Sequence, residues 1–537
     1  MTNEGGTDGA AVPAAPAPAP RLARAAGIIS AATFLSRLLG LVREQVFAAL
    51  LGASPLTDAF VVAFRIPNLL RDLFAEGALS AAFVPTFTDY LTNRPRADAW
   101  QLASRVITIL LALLGAIVLA LTLWPGPLVH GLAPGFTASQ RDLTVLMTRV
   151  MLPVLPLVSL AAVCMGMLNA QGRFATPALA PAVFNVVAIV TGVALALLGL
   201  PQRQVVIGWA VGTLLASAAQ LLMQWPALWR TGFRFRPSLT VRDPGLKRIA
   251  GLMAPATLGL AATQVNIMVS TMFASNEAGA NTWLQFAFRV LYLPIGIFGV
   301  AVGTAATAGL ARNAAEKDLT GLRDTLRHAL RLVAFLTVPS MVGLIVLSRP
   351  IIRLLFEHGR FSAADTHATA VALCYYTVGL YAYSSVKALA PAFYALGRPR
   401  VPVWASVSAV GANLVLNATL YPLLGFRGLA LGVAAAAIVN AGVLAVTFQR
   451  QVGGLWRRDL GVVLAKVSIA AAATGGVAWA ALQGMLRLVG THGLGAKLAA
   501  GLVPVAAGGA AYLAVCLLLH VEEVAVLRRL ARRFARR

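Results

Sequence analysis

Two stretches near the start of the chain, GIISAATFLSRLLGLVREQVFAALL at residues 27–51 and LTDAFVVAFRIPNLLRDLFAEGALSAAFVPTFTDYL at residues 56–91, decide the fold class. Each is long and apolar enough to cross a bilayer as a helix, which takes roughly 18–20 residues. Yet Arg37, Arg43, Glu44, Asp58, Arg65, Arg71, Asp72 and Glu76 all fall inside them. At about 100° per residue, Asp58, Arg65, Asp72 and Glu76 share one helical stripe about 40° wide. That stripe cannot face lipid, because a charge at mid-bilayer costs at least ~2.5–3.5 kcal/mol on insertion scales. The two stretches therefore belong to a bundle that encloses its own charges.

The rest of the chain repeats the apolar pattern without most of the charge. Of 537 residues, 59% are hydrophobic and 12% charged, about half the charge of a soluble domain. Mean hydropathy is +0.79. The runs are Ala/Leu/Val/Gly-rich and lack the short alternation of a barrel strand. Fourteen spans are expected, near 27–51, 56–91, 103–128, 143–169, 176–199, 204–229, 249–275, 281–311, 326–348, 366–396, 401–424, 428–449, 461–485 and 498–520. Pro67 and Pro294 each remove a helix hydrogen bond from a long span, so spans two and eight are expected to tilt or break.

The net charge of +25 fits loops on the cytoplasmic side of a membrane rather than nucleic acid. With the N-terminus inside, twenty-seven Lys and Arg residues fall on the cytoplasmic side and eight on the other. Both termini are then cytoplasmic and the span number is even. Cys164, Cys374 and Cys516 sit singly in apolar runs and read as buried small hydrophobes. No cofactor is expected. The six histidines lack zinc spacing, and there is no phosphate-loop pattern or nucleophile–base pair, so an enzyme is not expected.

An internal repeat organises the spans. Ala63-Phe64-Arg65 recurs as Ala287-Phe288-Arg289, and Gly172-Arg173 before Pro177 recurs as Gly397-Arg398 before Pro402. The nearly equal offsets point to two parallel six-helix halves, one plan for a transporter. The expected organisation is a disordered tail at 1–25, an N-terminal lobe at 26–230 and a basic linker at 231–248. A C-terminal lobe at 249–450, two further helices at 451–520 and a basic tail at 521–537 follow.

Nine basic residues remain inside spans: Arg37, Arg43, Arg65, Arg71, Arg149, Arg289, Arg331, Lys387 and Lys466. Arg149, Arg331 and Lys466 lie near span ends and are expected to snorkel. Arg37, Arg43, Arg65 and Arg71 crowd the first two spans, and Arg289 lies at the repeat-related place in span eight. Some pair with carboxylates to lower the cost of burial. The remainder would form a cavity for phosphate, which the arginine fork matches bidentately. A purely structural network explains the same residues equally well on these grounds. Gly40, between Arg37 and Arg43, is the candidate hinge.

Ser36-Arg37-Leu38-Leu39-Gly40-Leu41-Val42-Arg43-Glu44 resembles the opening motif of the MurJ (MviN) family of lipid II flippases. So do Thr57-Asp58-Ala59-Phe60, Phe64-Arg65-Ile66-Pro67-Asn68-Leu69-Leu70-Arg71 and the segment from Phe74 to Pro85. Ala133-Pro134-Gly135-Phe136, the segment from Leu293 to Ala301, Leu355 to Ser362 and Lys387 to Tyr394 continue the match in family order. The resemblance implies the multidrug/oligosaccharidyl-lipid/polysaccharide exporter superfamily. It implies an all-α polytopic fold of 14 transmembrane helices: two pseudo-symmetric six-helix lobes plus two C-terminal helices that form a lipid-tail groove. It implies lipid II, the undecaprenyl-diphosphate-linked muropeptide, as substrate, moved by alternating access across the bacterial inner membrane. Arg37, Arg43, Arg71 and Arg289 are then substrate-binding. Asp58, Arg65, Asp72, Glu76 and Glu44 form the supporting charge network. A monomer among membrane lipids is expected, with cell-wall synthesis proteins as further partners.

Two departures from the family pattern stand out. An acidic residue usually precedes the span-eight arginine, and here it is Phe288. Where some members bind sodium, this chain has Ser270, Asn413 and Asn417, neutral oxygens that make a weak sodium site. Sodium coupling of that kind is not expected, although a membrane potential still supplies ~2.3 kcal/mol per charge per 100 mV. Other readings are a polysaccharide-unit flippase of the same superfamily, a cation-coupled drug exporter, and a non-transporting scaffold for cell-wall enzymes. A drug exporter does not need four cavity arginines, and loss of the acid at Phe288 is what permits the scaffold.

Overall fold

A computed structural model describes residues 19–73, 78–240, 242–490 and 493–525. Those residues form helices and connecting turns, with no strand among them. In chain order the helices are α1 (Ala19–Leu51), α2 (Pro55–Arg71), α3 (Ala78–Asn93), α4 (Arg96–Leu123), α5 (Pro125–Leu132), α6 (Ala138–Met151) and α7 (Val154–Ala170). Then come α8 (Ala175–Leu197), α9 (Gln202–Trp229), α10 (Pro244–Ala274), α11 (Ala280–Pro294), α12 (Val300–Ala315), α13 (Leu319–Val346) and α14 (Ser348–Phe356). The last are α15 (Ala363–Thr377), α16 (Leu380–Ala395), α17 (Arg400–Leu424), α18 (Phe426–Gln451), α19 (Arg458–Val489) and α20 (Leu494–Leu518).

Ten helical stretches among the described residues are long and apolar enough to cross a membrane, and the chain is a multi-pass membrane protein. They coincide with ten of the fourteen expected spans. The other four expected spans fall on α1, on α2 with α3, on α10, and on α15 with α16. Outward-facing Leu119, Val190, Val415, Ile469 and Leu502 are exposed, which suits a lipid solvent and not water.

The breaks follow the prolines only in part. At Pro294 α11 gives way to a π-helical turn, Ile295–Gly299, before α12 begins. Proline removes one backbone donor there, and the wider turn absorbs the misfit. Pro67 leaves α2 helical as far as Arg71. α1 starts at Ala19, ahead of the boundary expected at residue 26, over Arg, Leu and Ala residues that favour helix.

Helices α1 to α9 pack mainly on one another, as do α10 to α18. The two groups meet where α10 lies against α3, α4 and α5, where α11 lies against α2, and where α14 touches α1. The α19–α20 hairpin packs on α13, and Tyr512 donates to the Phe335 carbonyl at 2.6 Å. Arg331 of α13 is largely buried. It pairs with Glu523 and Glu522, each at 2.7 Å, tying the segment after α20 to α13.

At the end of the bundle that carries the basic linker, Asp243 caps α10, accepting from Gly245 N at 2.7 Å and Leu246 N at 3.4 Å. It also accepts from Tyr90 of α3 at 3.1 Å and pairs with Arg105 of α4. Burial opposes its charge, but the Gly245 amide, Tyr90 and Arg105 outweigh it and hold the carboxyl below its ordinary range. A carboxylate with a depressed folded pKa stabilises above its unfolded value, about pH 4, and the benefit fades as pH falls through the folded value. Asp243→Ala is therefore expected to cost about 1–2 kcal/mol at neutral pH, the range for a lost cap. In thermal unfolding against pH, the variant and parent curves should converge in acid. Parallel curves down to the lowest pH would contradict the role.

Candidate functional site

A cavity of about 620 Å³ opens between the two helix groups. From α2 it receives Arg65 and Arg71, from α11 Gln285, Phe288 and Arg289, and from α16 Tyr383 and Lys387. The repeat-related pair Arg65 and Arg289 thus faces one space from opposite groups. Their helices sit in contact, which is why two matching triplets deliver two cations to one place.

Glu44 is the hub behind the cavity wall. Its carboxylate lies 2.5 Å from Arg43 and 3.2 Å from Arg289. The glutamate is 6% exposed, whereas half of the Arg289 side chain is open. Arg289, without an acid beside it in sequence, is held from α1 instead. Two guanidiniums on one carboxylate leave one positive charge in excess, in surroundings where Coulomb forces are weakly screened. Arg43 also lies over the Phe184 ring, 5.4 Å from its centre.

Arg71 pairs with Asp72 at 2.9 Å, and Asp72 accepts from Gln264 of α10 at 3.1 Å. Arg65 donates to the Thr271 hydroxyl of α10 and has no carboxylate within ion-pair distance among the described residues. Its charge faces the cavity less neutralised than that of Arg43 or Arg289. Arg37 is exposed and lies outside the cavity lining. Its guanidinium lies against Gly296 in the π turn, where a Cβ would sit 3.2 Å from Nη1. Glu76 lies outside the described residues. Gly40 is in an uninterrupted stretch of α1, facing Asn185 of α8 with room for a Cβ at 3.6 Å.

Asp58 does something the helical stripe did not suggest. It is 1% exposed and does not pair with Arg65. It accepts from Gly279 N at 2.6 Å, Thr282 N at 3.0 Å and Thr282 Oγ1 at 2.7 Å, capping α11 from the other helix group. An anion at a helix N-terminus is stabilised by the free amides and the dipole. The latch joins the two helix groups at the end away from the basic linker. Beside it, Arg360 N donates to the Ala49 carbonyl at 2.9 Å. Gly52, at φ +62°, backs on the Arg360 carbonyl so closely that a Cβ would lie 2.6 Å from it. Gly135 N donates to Ser275 Oγ at 3.1 Å in the same seam.

Phe288, in place of the acid, joins an aromatic cluster in the cavity wall, 5.5 Å from the Tyr376 ring and 6.3 Å from Tyr383. Asn417 donates to Asn413 Oδ1 at 2.9 Å and to Ser270 Oγ at 3.3 Å. The three form a buried neutral cluster between α10 and α17.

The family described as lipid II flippase MurJ matches residues 47–495. The chain belongs to that family. A probable lipid II flippase MurJ of Vibrio cholerae is 33% identical over 94% of this chain and 97% of its own length. The lipid II flippase MurJ of Burkholderia cenocepacia is 34% identical, over 78% and 82%. A solved structure titled as lipid II flippase MurJ, inward closed conformation, superposes with TM-score 0.76 at 26% identity, covering 92% of this chain and 99% of its own. A multidrug transporter of the MATE family, at TM-score 0.61 and 18% identity, shares the fold over 80% of this chain. The MurJ resemblance carried by motifs from Ser36 to Tyr394 thus extends over nearly the whole chain.

The shared carboxylate predicts strong coupling. Glu44→Gln should destabilise the protein far more in the parent than in an Arg289→Gln background, with a coupling of roughly 0.5–3 kcal/mol. Denaturant unfolding in micelles measures it. Additivity within ~0.5 kcal/mol would mean that the 3.2 Å pair is not an energetic unit.

Proposed function

We propose that this MurJ-family chain moves lipid II, the undecaprenyl-diphosphate-linked peptidoglycan precursor, from the cytoplasmic to the periplasmic leaflet. The observation that carries the reading is the cavity between the two helix groups, lined by Arg65, Arg71, Arg289 and Lys387 against one carboxylate, Asp72, among the described residues. The names of the relatives along the whole chain support it. No bond is made or broken in this process. The work is binding and a change of which end is open.

In this reading the diphosphate meets Arg43, Arg71 and Arg289, with Arg37 at the approach by the π turn. Glu44 and Asp72 keep the guanidiniums paired in the absence of substrate. An entering phosphate takes over a guanidinium from its carboxylate, so each cation stays paired throughout and part of the desolvation cost is offset. Arg65 and Glu76 complete the supporting network, and Asp58 holds the α11 N-terminus instead. Opening the far end requires Asp58 to leave the α11 N-terminus and the main-chain seam to part. Gly40 is the proposed hinge in α1, since an uninterrupted helix with spare room beside a glycine can bend. Loss of the acid at Phe288 no longer favours a scaffold, because Glu44 supplies the missing partner.

The same reading takes α1, α2 with α3, α10 and α15 with α16 as the four remaining spans, which brings the number to fourteen. It divides the chain into lobes at 26–230 and 249–450, with a linker at 231–248. Helices 13 and 14 at 451–520 form the lipid-tail groove. Both termini lie in the cytoplasm and the protein resides in the inner membrane. One copy suffices, because a single chain completes the cavity; cell-wall synthesis proteins are its proposed neighbours.

Arg43→Ala tests the phosphate role. It is expected to abolish complementation of a flippase-depleted strain while the protein stays at parental level in the membrane. Headgroup-accessibility measurements on lipid II in vesicles with the purified variant should show no movement above protein-free vesicles. Full activity of the variant would sink the role.

A further inference from the structure

The two walls of the cavity differ in chemistry. The α2 wall presents guanidiniums. On the opposite wall, beside the cations Arg289 and Lys387, lie neutral polar atoms without partners among the described residues. Asn281 of α11 is fully buried in the wall, and neither its amide oxygen nor its nitrogen has a hydrogen-bond partner among the described residues. The Tyr383 hydroxyl and the Asn266 amide oxygen, in the same lining, are also unpartnered. Native proteins rarely leave buried polar atoms unpaired, and each such group calls for an explanation.

The pattern along α11 supplies one. Asn281, Gln285, Phe288 and Tyr292 are spaced by four, three and four residues, so they form one stripe, and all four line the cavity. Two amides lie toward the latched end, then an aromatic ring beside Arg289, then a second ring. Rings with apolar faces beside amides that can both donate and accept suit a sugar, whose CH faces pack on aromatics and whose hydroxyl and acetamido groups need paired partners. A peptide carboxylate would instead seek the cations.

We infer that the Asn281–Tyr383 face of the cavity is the subsite for the N-acetylated sugar of the headgroup, reached when the diphosphate is on the arginines. The inference rests on the lipid-linked reading above and extends it to the sugar. It also links binding to opening. Asn281 sits between Gly279 and Thr282, whose amides hold Asp58. A sugar that pairs with the Asn281 amide acts on the same helical turn as the latch. Polar atoms left idle in the empty state gain partners only when the correct headgroup is present, and sites built this way discriminate sharply against ligands lacking the group.

Equilibrium binding to the purified full-length chain in nanodiscs tests this with three probes: undecaprenyl diphosphate, the same lipid carrying one N-acetylhexosamine and no peptide, and lipid II. Asn281→Leu should weaken both sugar-bearing lipids by ~10–100-fold and undecaprenyl diphosphate by less than about twofold. Tyr383→Phe removes only an unpartnered hydroxyl, so its fold is secure, and it should weaken the same two lipids by ~3–10-fold. Equal losses for all three probes in both variants, or no loss in either, would overturn the sugar subsite. A loss confined to lipid II would overturn it too, by assigning the face to the peptide. Failure of the underlying reading looks different: the parent chain would then bind undecaprenyl diphosphate no better than undecaprenol.

Discussion

A carboxylate shared by two guanidiniums from opposite groups of helices governs the interior of this protein. Glu44 lies between Arg43, its neighbour in α1, and Arg289 of α11. In an apolar bundle three separate charges would be prohibitive, and together they are tolerable because each ion solvates the others. Among the described residues the grouping leaves a surplus of positive charge, which favours an anion. In the proposed reading, stability and substrate attraction draw on the same three side chains.

The other features of the cavity arrange themselves around that surplus. Asp72 restrains Arg71 and is itself fixed by Gln264. Asp58 stays out of the cation network and holds the N-terminus of α11, the helix that carries Arg289. Phe288, next to Arg289, adds a ring to the wall. Cations line the cavity from both helix groups, and the aromatic rings lie on the α11 and α16 side.

Much of this was legible in the sequence because burying charge is costly. The arginines of the first two spans could not face lipid, and the repeat of Ala-Phe-Arg put Arg65 and Arg289 at related places. Both do line the cavity. What could not be read were partners distant in sequence. Helical periodicity grouped Asp58 with Arg65, but a stripe says which side a residue faces and not what meets it there. The α11 amides, more than 220 positions on, are what Asp58 meets. Glu44 looked like a local partner of Arg43, and its reach to Arg289 depends on how α1 and α11 approach. Arg331 looked like a snorkelling side chain because Glu522 and Glu523 are remote in sequence, yet they are its partners. Breaks followed the same division: Pro294 coincides with a π turn, whereas α2 runs past Pro67 because a helix packed on its neighbours can absorb one missing bond.

The seam at the latched end has one more property. Around Asp58 it is made from main chain: the Ala49 carbonyl with the Arg360 amide, the Gly52 backbone against the Arg360 carbonyl, and the Gly135 amide with Ser275. Peptide groups do not titrate, and short contacts between neutral dipoles are little affected by dissolved ions. The strength of this part of the closure is therefore set by shape. It stays constant while acidity and ionic strength vary on the exposed face, so those variables are left to act on the arginines and their ligand.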